Sequence, residues 1–205
     1  MNKDIIRKIE SLVGKVECPL NYNKDYELLI AVMLSAQTTD ITVNKVTSKL
    51  FEKYNLYTLA EASESDILKI VSPCGMKVKA KNVIGIAKTL IEKTGGKVPN
   101  NREFLESLPG VGHKTANVVL SELFGEQALA VDTHVARVAK RLGIASEPDD
   151  ILTVENKLME FFSGYDFRKL HLELLMFGRN ICKSKNPTCD ICPIKNKCQY
   201  YKKNN

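Results

Sequence analysis

The stretch that decides the fold reads Leu108-Pro109-Gly110-Val111-Gly112-His113-Lys114-Thr115-Ala116, and Val131-Asp132-Thr133-His134-Val135 follows shortly after it. Two glycines flank one apolar residue, so the backbone can make a tight turn with few side chains around it. Main-chain N–H groups that point outward from such a turn suit a phosphate. Lys114 then opens a segment whose apolar residues recur at helical spacing. A lysine is unusual there, because the positive end of a helix disfavours cations.

Two interpretations of this stretch compete. The tripeptide Gly110-Val111-Gly112 alone fits an ordinary turn between helices, with Lys114 as a solvated lysine, because short glycine motifs recur by chance. The whole string, Leu-Pro-Gly-Val-Gly-x-Lys-Thr-Ala with Val-Asp-Thr-His after it, resembles the helix-hairpin-helix motif of the endonuclease III family of DNA glycosylases. The resemblance implies that Lys114 is the catalytic lysine, that Asp132 is the catalytic aspartate, and that residues 110–112 clamp the DNA backbone.

Composition sets wide bounds on the function. The chain has 205 residues, is 44% hydrophobic and carries a net charge of +6, which permits a nucleic-acid partner without requiring one. The amino terminus lacks the continuous apolar core of a signal peptide, and no stretch approaches the roughly 18 apolar residues of a membrane span. We therefore expect a cytoplasmic protein without a membrane partner, in which the six cysteines are reduced or bind metal.

Hydrophobic periodicity predicts helices and no alternating strand pattern, so the expected fold class is all-α. The predicted helices cover residues within 1–20, 27–37, 40–51, 65–71, 79–94, 102–108, 114–124, 133–142, 149–162 and 166–180. Thr58 and Glu61 fit a capping box, which predicts that a further short helix begins at Thr58. We expect the lysines around the helix of residues 79–94 to form a solvated face, namely Lys77, Lys79, Lys81, Lys88 and Lys93, with contact to phosphate as the alternative for the first three.

The domain organisation comes from the resemblance, since composition alone gives no boundary. It implies two helical domains with a DNA-binding cleft between them. One is residues 21–127, which contain the helix-hairpin-helix. The other joins residues 1–20 to residues 128–205 and carries an iron-sulfur cluster. It also implies a monomer of bacterial or archaeal type, associated with the nucleoid.

Four cysteines near the carboxyl terminus have metal-ligand spacing. Cys182, Cys189, Cys192 and Cys198 form the pattern C-x6-C-x2-C-x5-C. This spacing suits a structural zinc ion and an iron-sulfur centre about equally, and reduced cysteines without metal are a third interpretation. The pattern resembles the [4Fe-4S] loop of endonuclease III, which implies that cofactor. We expect some lysines of residues 183–197 to contact DNA, Lys202 and Lys203 to form a solvated tail, and Cys18 and Cys74 to be structural thiols.

The chemistry implied for Lys114 and Asp132 is base removal followed by strand cleavage. The nucleotide must leave the base stack, and a primary amine can then attack C1′ and form a Schiff base. Only a neutral amine attacks, and an ordinary lysine is neutral in on the order of 0.04% of molecules at pH 7. Because a helix start and burial favour the neutral form, we expect Lys114 to be partly buried. Asp132 is expected to stabilise positive charge on the sugar and assist proton transfer, or to serve as a plain helix cap.

Three more positions follow from the resemblance. Gln37 matches the family residue that fills the gap left by the extruded base. The loop from Cys74 to Ala80 is one residue shorter than usual and lacks an aromatic residue, so Met76 is the candidate for the side chain that wedges into the helix. His134 matches a family position, but we expect it to be packed or to cap a helix.

The function expected from these residues is base-excision repair of double-stranded DNA. The protein would be a bifunctional glycosylase that removes oxidised pyrimidines and a lyase that cleaves at the resulting abasic site. A monofunctional adenine-mismatch glycosylase is the nearest alternative, and its family carries no lysine at the position of Lys114. A DNA-binding module whose cluster senses redox state is a third, but such a module has no need of both Lys114 and Asp132.

Overall fold

The computed structural model describes residues 2–204; residues 1 and 205, which the predicted domains include, lie outside the described residues. The described chain is built of α-helices and contains no strand, which confirms the all-α class. The helices are α1 Asn2–Val13, α2 Asp25–Leu34, α3 Asp40–Lys53, α4 Leu56–Glu61, α5 Glu64–Val71, α6 Val78–Thr94, α7 Arg102–Ser107, α8 His113–Phe124, α9 Thr133–Leu142, α10 Ile151–Phe161, α11 Phe167–Asn180 and α12 Gln199–Asn204.

The chain divides into two compact units. Residues 18–126 form one unit, and the residues up to Glu17 join those from Gln127 onward to form the other. The unit of residues 18–126 holds α2 to α8, and the second unit holds α1 and α9 to α12. The division assigns residues 18–20 and residue 127 differently from the sequence-based boundaries.

Helix α2 lies at the centre of the unit of residues 18–126. Its residues from Tyr26 to Leu34 are all buried, and α3, α6 and α8 each pack against it. A helix that is apolar on every side is stable in water only when neighbours surround it. The sequence predicted this helix to run to Gln37, but it ends at Leu34, because Gln37 takes a positive φ of 58°.

The start of α4 differs from the prediction. The helix predicted to begin at Thr58 begins at Leu56 instead, and Thr58 is its third residue. Asn55 is the cap: its side chain accepts from the N–H groups of Tyr57 and Thr58, and Thr58 Oγ1 accepts from the Asn55 N–H at 2.9 Å. A capping box is therefore present, but it joins Asn55 and Thr58 rather than the predicted Thr58 and Glu61.

The second unit has its own apolar core, in which α9 and α11 pack together and α1 packs on α11. Fully buried residues of four helices contribute to this core, among them Ile6, Ile9, Val135, Leu158, Leu170 and Phe177. In the described part of the chain, no helix is long and apolar enough to cross a membrane.

A buried carboxylate connects α1 and α11 in this unit. The side chain of Glu173 is fully buried and accepts from Tyr165 Oη at 3.2 Å, while Lys169 Nζ lies 3.6 Å from it and 2.6 Å from Glu10. Desolvation raises the pKa of Glu173 to about 7 despite the nearby lysine. The hydrogen bond to Glu10 raises the pKa of Lys169.

We predict that Glu173→Gln removes a pH dependence of stability. The carboxyl group has a pKa of about 7 when folded and of 4.5 ordinarily. The folded state therefore binds a proton that the unfolded chain releases, and the stability that this proton provides is complete below pH 4.5 and is lost as pH rises through 7. That loss amounts to at most about 3 kcal/mol. The measurement is the free energy of urea unfolding from pH 4.5 to 8.

The control for this prediction is Glu160→Gln, at an exposed position on α10. It should keep the pH dependence of the native protein. A Glu173→Gln protein whose stability changes with pH as steeply as that of the native protein would contradict the assignment.

Candidate functional site

The predicted helix-hairpin-helix is present as α7, the turn of residues 108–112, and α8. The turn is closed by a hydrogen bond from the Val111 N–H to Leu108 O at 3.1 Å, and Gly110 takes a φ of 77°. A Cβ on Gly110 would collide with the side-chain amide of Asn82 on α6, so the turn lies directly on that helix. Gly85 makes a second close approach, because a Cβ there would lie 2.8 Å from Pro109 Cγ.

The hairpin leaves the first turn of α8 without a side-chain cap. Gly112 occupies the cap position and has no side chain to accept from the helix, whose first N–H groups are among those that lack a helical partner. Such groups, at the positive end of a helix, bind phosphate. Val111 was predicted to bind DNA together with the two glycines. It is only 5% exposed, however, and its N–H donates the hydrogen bond that closes the turn. Val111 therefore holds the hairpin in shape, and its amide is not offered to DNA.

Lys114 is the second residue of α8 and its side chain is exposed. The expectation of partial burial is therefore wrong for the free protein. The neighbouring His113 is bound to the preceding helix, with its Nδ1 3.1 Å from Glu106 Oε1. Lys114 thus extends into solvent from a helix start that His113 anchors to α7.

Asp132 caps α9, as one of the two sequence interpretations expected. Its Oδ1 accepts from the N–H groups of His134 at 2.9 Å and Val135 at 2.8 Å. The half-exposed carboxylate is therefore held in one orientation by a single oxygen. His134 is packed, as predicted: its Cβ lies against Gly178 of α11, and its Nδ1 is 3.1 Å from the guanidinium of Arg137.

Gln37 and Met76 both lie in exposed loops of the unit of residues 18–126. Gln37 is exposed and adopts the left-handed backbone conformation, which is uncommon for a residue with a side chain. Met76 is 52% exposed and follows Gly75, whose φ is 96°. Thr38 connects the two loops, because its hydroxyl donates to Cys74 O at 2.8 Å.

Lys79 is a functional candidate whose environment differs from the prediction. The sequence predicts a solvated or phosphate-facing side chain, but the residue is only 2% exposed. Its Nζ donates to three carbonyl oxygens, those of Ala36 at 2.6 Å, Cys74 at 2.7 Å and Leu34 at 2.9 Å, and lies 3.2 Å from Thr38 Oγ1. Burial lowers the pKa of Lys79. Lysines at helical spacing are usually solvated, so no signal in the sequence distinguished this one.

The four predicted metal ligands of the carboxyl-terminal unit surround one cavity. Cys182, Cys189, Cys192 and Cys198 all line it, and most of the remaining wall is apolar. Desolvation raises the pKa of the Cys189 and Cys192 thiols. Among the described residues, no three His, Cys, Asp or Glu side chains form an arrangement that could hold a single metal ion.

Arg141 on α9 holds the cysteine loop in place. Its guanidinium donates to Lys183 O at 2.7 Å and Ser184 O at 3.0 Å, and it lies 3.4 Å from Cys182 Sγ. The same guanidinium stacks on the Tyr200 ring at 4.2 Å. Because one guanidinium donates to several acceptors of the loop at once, it gives the loop a defined shape.

The basic residues of this loop are only partly available to DNA. Lys197 Nζ pairs with Asp4 at 2.7 Å, and Lys195 Nζ donates to Asp190 O at 3.1 Å. Lys183 and Lys185 are exposed and remain candidates for phosphate contact.

An all-α chain with a helix-hairpin-helix, a lysine after the hairpin and a cysteine-lined loop defines a class of DNA repair proteins. Residues 30–163 match the family described as the HhH-GPD superfamily of base excision DNA repair proteins. The chain is 44% identical over 209 residues to endonuclease III of Rickettsia felis, covering 98% of this chain and 97% of the relative. It is 45% identical over 198 residues to endonuclease III of Bacillus subtilis, covering 94% and 89%.

A solved structure of a trapped endonuclease III–DNA covalent intermediate is similar to this chain, with a TM-score of 0.93 at 40% identity. The match covers 98% of this chain and 96% of that one. The chain belongs to the endonuclease III family of the HhH-GPD superfamily. The resemblance noted from the motif is therefore confirmed, and with it a place in base-excision DNA repair.

We predict that Gly110→Ala weakens both the fold and DNA binding. A Cβ at this position adds a collision with Asn82 to the strain of a positive φ. The expected cost is about 2 to 4 kcal/mol of unfolding free energy, together with a loss of affinity for duplex DNA. Urea unfolding and fluorescence anisotropy measure the two effects.

Gly125→Ala is the matched control for the hairpin variant. Gly125 has a similar φ of 68°, but a Cβ there meets nothing within 4 Å. This variant should lose only about 1 kcal/mol and keep its DNA affinity. Equal losses in the two variants would contradict the close packing assigned to Gly110.

Proposed function

We propose that this protein is a bifunctional DNA glycosylase and abasic-site lyase that removes oxidised pyrimidines from double-stranded DNA. The observation that carries the proposal is the position of Lys114: an exposed primary amine in the first turn of the helix that follows the hairpin. The amides of that turn and of Gly112 would bind a DNA phosphate and bring the amine to the backbone. Gly110 would permit the turn that presents them.

The proposed reaction begins with attack by the neutral amine of Lys114 on C1′ of the extruded nucleotide. A bond forms between Nζ and C1′ while the bond from C1′ to the base breaks. The base leaves with the electron pair of that bond and takes up a proton. The sugar ring then opens: the bond from C1′ to O4′ breaks, O4′ takes a proton from the solvent, and the nitrogen lone pair forms the C=N bond of an iminium ion. Loss of a C2′ proton then breaks the bond from C3′ to the phosphate, and water finally releases the lysine.

Asp132 would serve this reaction through the carboxylate oxygen that takes no part in the helix cap. Since Oδ1 accepts both cap hydrogen bonds, Oδ2 is the oxygen proposed to face the sugar. Negative charge there stabilises the positive charge that develops on the sugar as the base departs. The cap fixes the direction of the carboxylate in advance, so no reorganisation is needed when the charge appears.

We further propose that Cys182, Cys189, Cys192 and Cys198 hold a [4Fe-4S] cluster. A zinc ion with four thiolates at about 2.3 Å would bring the sulfur atoms to about 3.8 Å from one another. The four cysteines line one cavity, so that each thiolate could bind one of the four irons of a cluster placed there. The cluster, when bound, would crosslink the loop and fix exposed Lys183 and Lys185 for phosphate contact.

The domain roles follow from this assignment. The unit of residues 18–126 would be the helix-hairpin-helix domain, and the unit that ends the chain would be the iron-sulfur domain. We propose that the protein works as a monomer in the cytoplasm, on the DNA of the nucleoid.

The first test is a borohydride trap with duplex DNA that carries an oxidised pyrimidine. The native protein should form a covalent adduct, and Lys114→Ala should form none because the Schiff base has no amine. Release of the base without an adduct would indicate a monofunctional glycosylase. Binding with neither reaction would indicate a DNA-binding module.

Asp132→Asn separates catalysis from helix capping. Asparagine is as good a helix cap as aspartate, so the midpoint of thermal unfolding should stay within a few degrees. Loss of the negative charge should lower the rate of base release by about a hundredfold or more. A variant with native activity would show that Asp132 is only a cap.

The cluster proposal predicts iron and inorganic sulfide in the purified protein, about four of each per chain. The Cys192→Ser protein should contain less iron and less sulfide. The Cys18→Ser protein is the control, because Cys18 does not line the cavity, and its iron and sulfide content should be unchanged. One zinc ion per chain and no sulfide would overturn the proposal.

A further inference from the structure

We propose that Lys79 is a positioning residue that holds the two loops carrying Gln37 and Met76 in the arrangement with which they enter the DNA helix. The inference rests on the proposed function and on the roles that the family resemblance implies for these two side chains, which are to fill the gap left by the extruded base and to wedge into the helix. Its basis is the set of hydrogen bonds that one buried ammonium makes to both loops. Leu34 and Ala36 lie on the chain that leads to Gln37, and Cys74 lies two residues before Met76.

The ammonium provides a hydrogen-bond donor to the carboxyl-terminal end of α2. Leu34 ends α2, and the last carbonyls of a helix have no partner within it. A cation is favoured at this end of a helix by the partial negative charge of those carbonyls. No other kind of side chain offers three donors on one atom, and here four oxygens lie within 3.2 Å of that atom.

The same contacts account for the unusual backbone of Gln37. A positive φ of 58° at a glutamine costs free energy and persists only where the surrounding structure determines it. The residues on either side provide this determination, since Ala36 O accepts from Lys79 at 2.6 Å and Thr38 Oγ1 donates to Cys74 O at 2.8 Å. Gln37 is thus presented to solvent by a loop whose flanks are fixed, while its own side chain stays exposed.

The two loops are fixed to each other as well as to Lys79. Thr38 belongs to the first loop and bonds to Cys74 O in the second, and both of these oxygens also lie within reach of Lys79 Nζ. Gln37 and Met76 therefore form one preorganised pair on a shared anchor. Preorganisation matters here because two side chains that enter one gap must arrive in register.

The test compares Lys79→Met with Lys88→Met in the borohydride trap under single-turnover conditions. Methionine keeps the length of the lysine chain and removes the donors, and Lys88 is an exposed lysine on the same helix. Each protein reacts with duplex DNA carrying the lesion, and with a single-stranded oligonucleotide carrying a preformed abasic site, where no base pair needs to be opened. The rate of adduct formation by Lys79→Met should be lower than the native rate by about tenfold or more on the duplex, and should lie within about threefold of it on the single strand. Lys88→Met should react at the native rate on both substrates.

A double-mutant cycle shows whether the effect passes through Gln37. On the duplex, the slowing caused by Lys79→Met should shrink to less than about threefold in a Gln37→Ala background, because the group to be positioned is absent. A merely structural role would give the same slowing in both backgrounds and would overturn the proposal. Equal loss on the duplex and the single strand, or no loss on either, would also overturn it.

Thr38→Val decides the matter if Lys79→Met does not fold, which circular dichroism would show. Valine has the shape of threonine without the hydroxyl that joins the two loops, and the ammonium stays in place. The same selective loss on the duplex is expected, at about threefold or more, and an unchanged ratio of the two rates would overturn the proposal. If the native protein gives no adduct on either substrate, the failure belongs to the proposed function.

Discussion

The requirement that main-chain groups at helix ends find partners governs each part of this site. Each helix end here meets it in a different way. The start of α9 is satisfied by Asp132, the end of α2 by Lys79, and the start of α8 follows Gly112, which has no side chain to offer. An uncapped helix start binds an anion well, so what α8 lacks within the protein is what phosphate supplies.

Close packing against α6 explains how the hairpin keeps its shape. Asn82 and Gly85 lie one turn apart on α6, and they contact Gly110 and Pro109. Val111 is buried below the turn and closes it through Leu108. The shape of the hairpin is therefore fixed by contacts within the protein, while Gly110 and Gly112 remain exposed.

Periodicity in the sequence was enough to predict most helices and the all-α class, and the motif was enough to predict the family. The prediction failed where the deciding contact joins residues far apart in the chain. Lys79 has the same local surroundings in the sequence as its solvated neighbours, and only its contact with Leu34, 45 residues earlier, distinguishes it. Asn55 and Thr58 show a similar limit at short range, since Thr58 and Glu61 match the usual capping-box pattern but the hydrogen bonds place the cap at Asn55.

The exposure of Lys114 places a constraint on the proposed chemistry. An amine in water is almost entirely protonated at neutral pH, and attack needs the neutral form. The free protein buries a different lysine, Lys79, whose ammonium donates to three main-chain carbonyls and lies within hydrogen-bond distance of the Thr38 hydroxyl. In the proposed reaction, the sugar and the extruded base of bound DNA would exclude water from this exposed amine. Binding and activation are then one event, and an amine that becomes reactive only under a flipped nucleotide is kept from attacking other carbonyl compounds in solution.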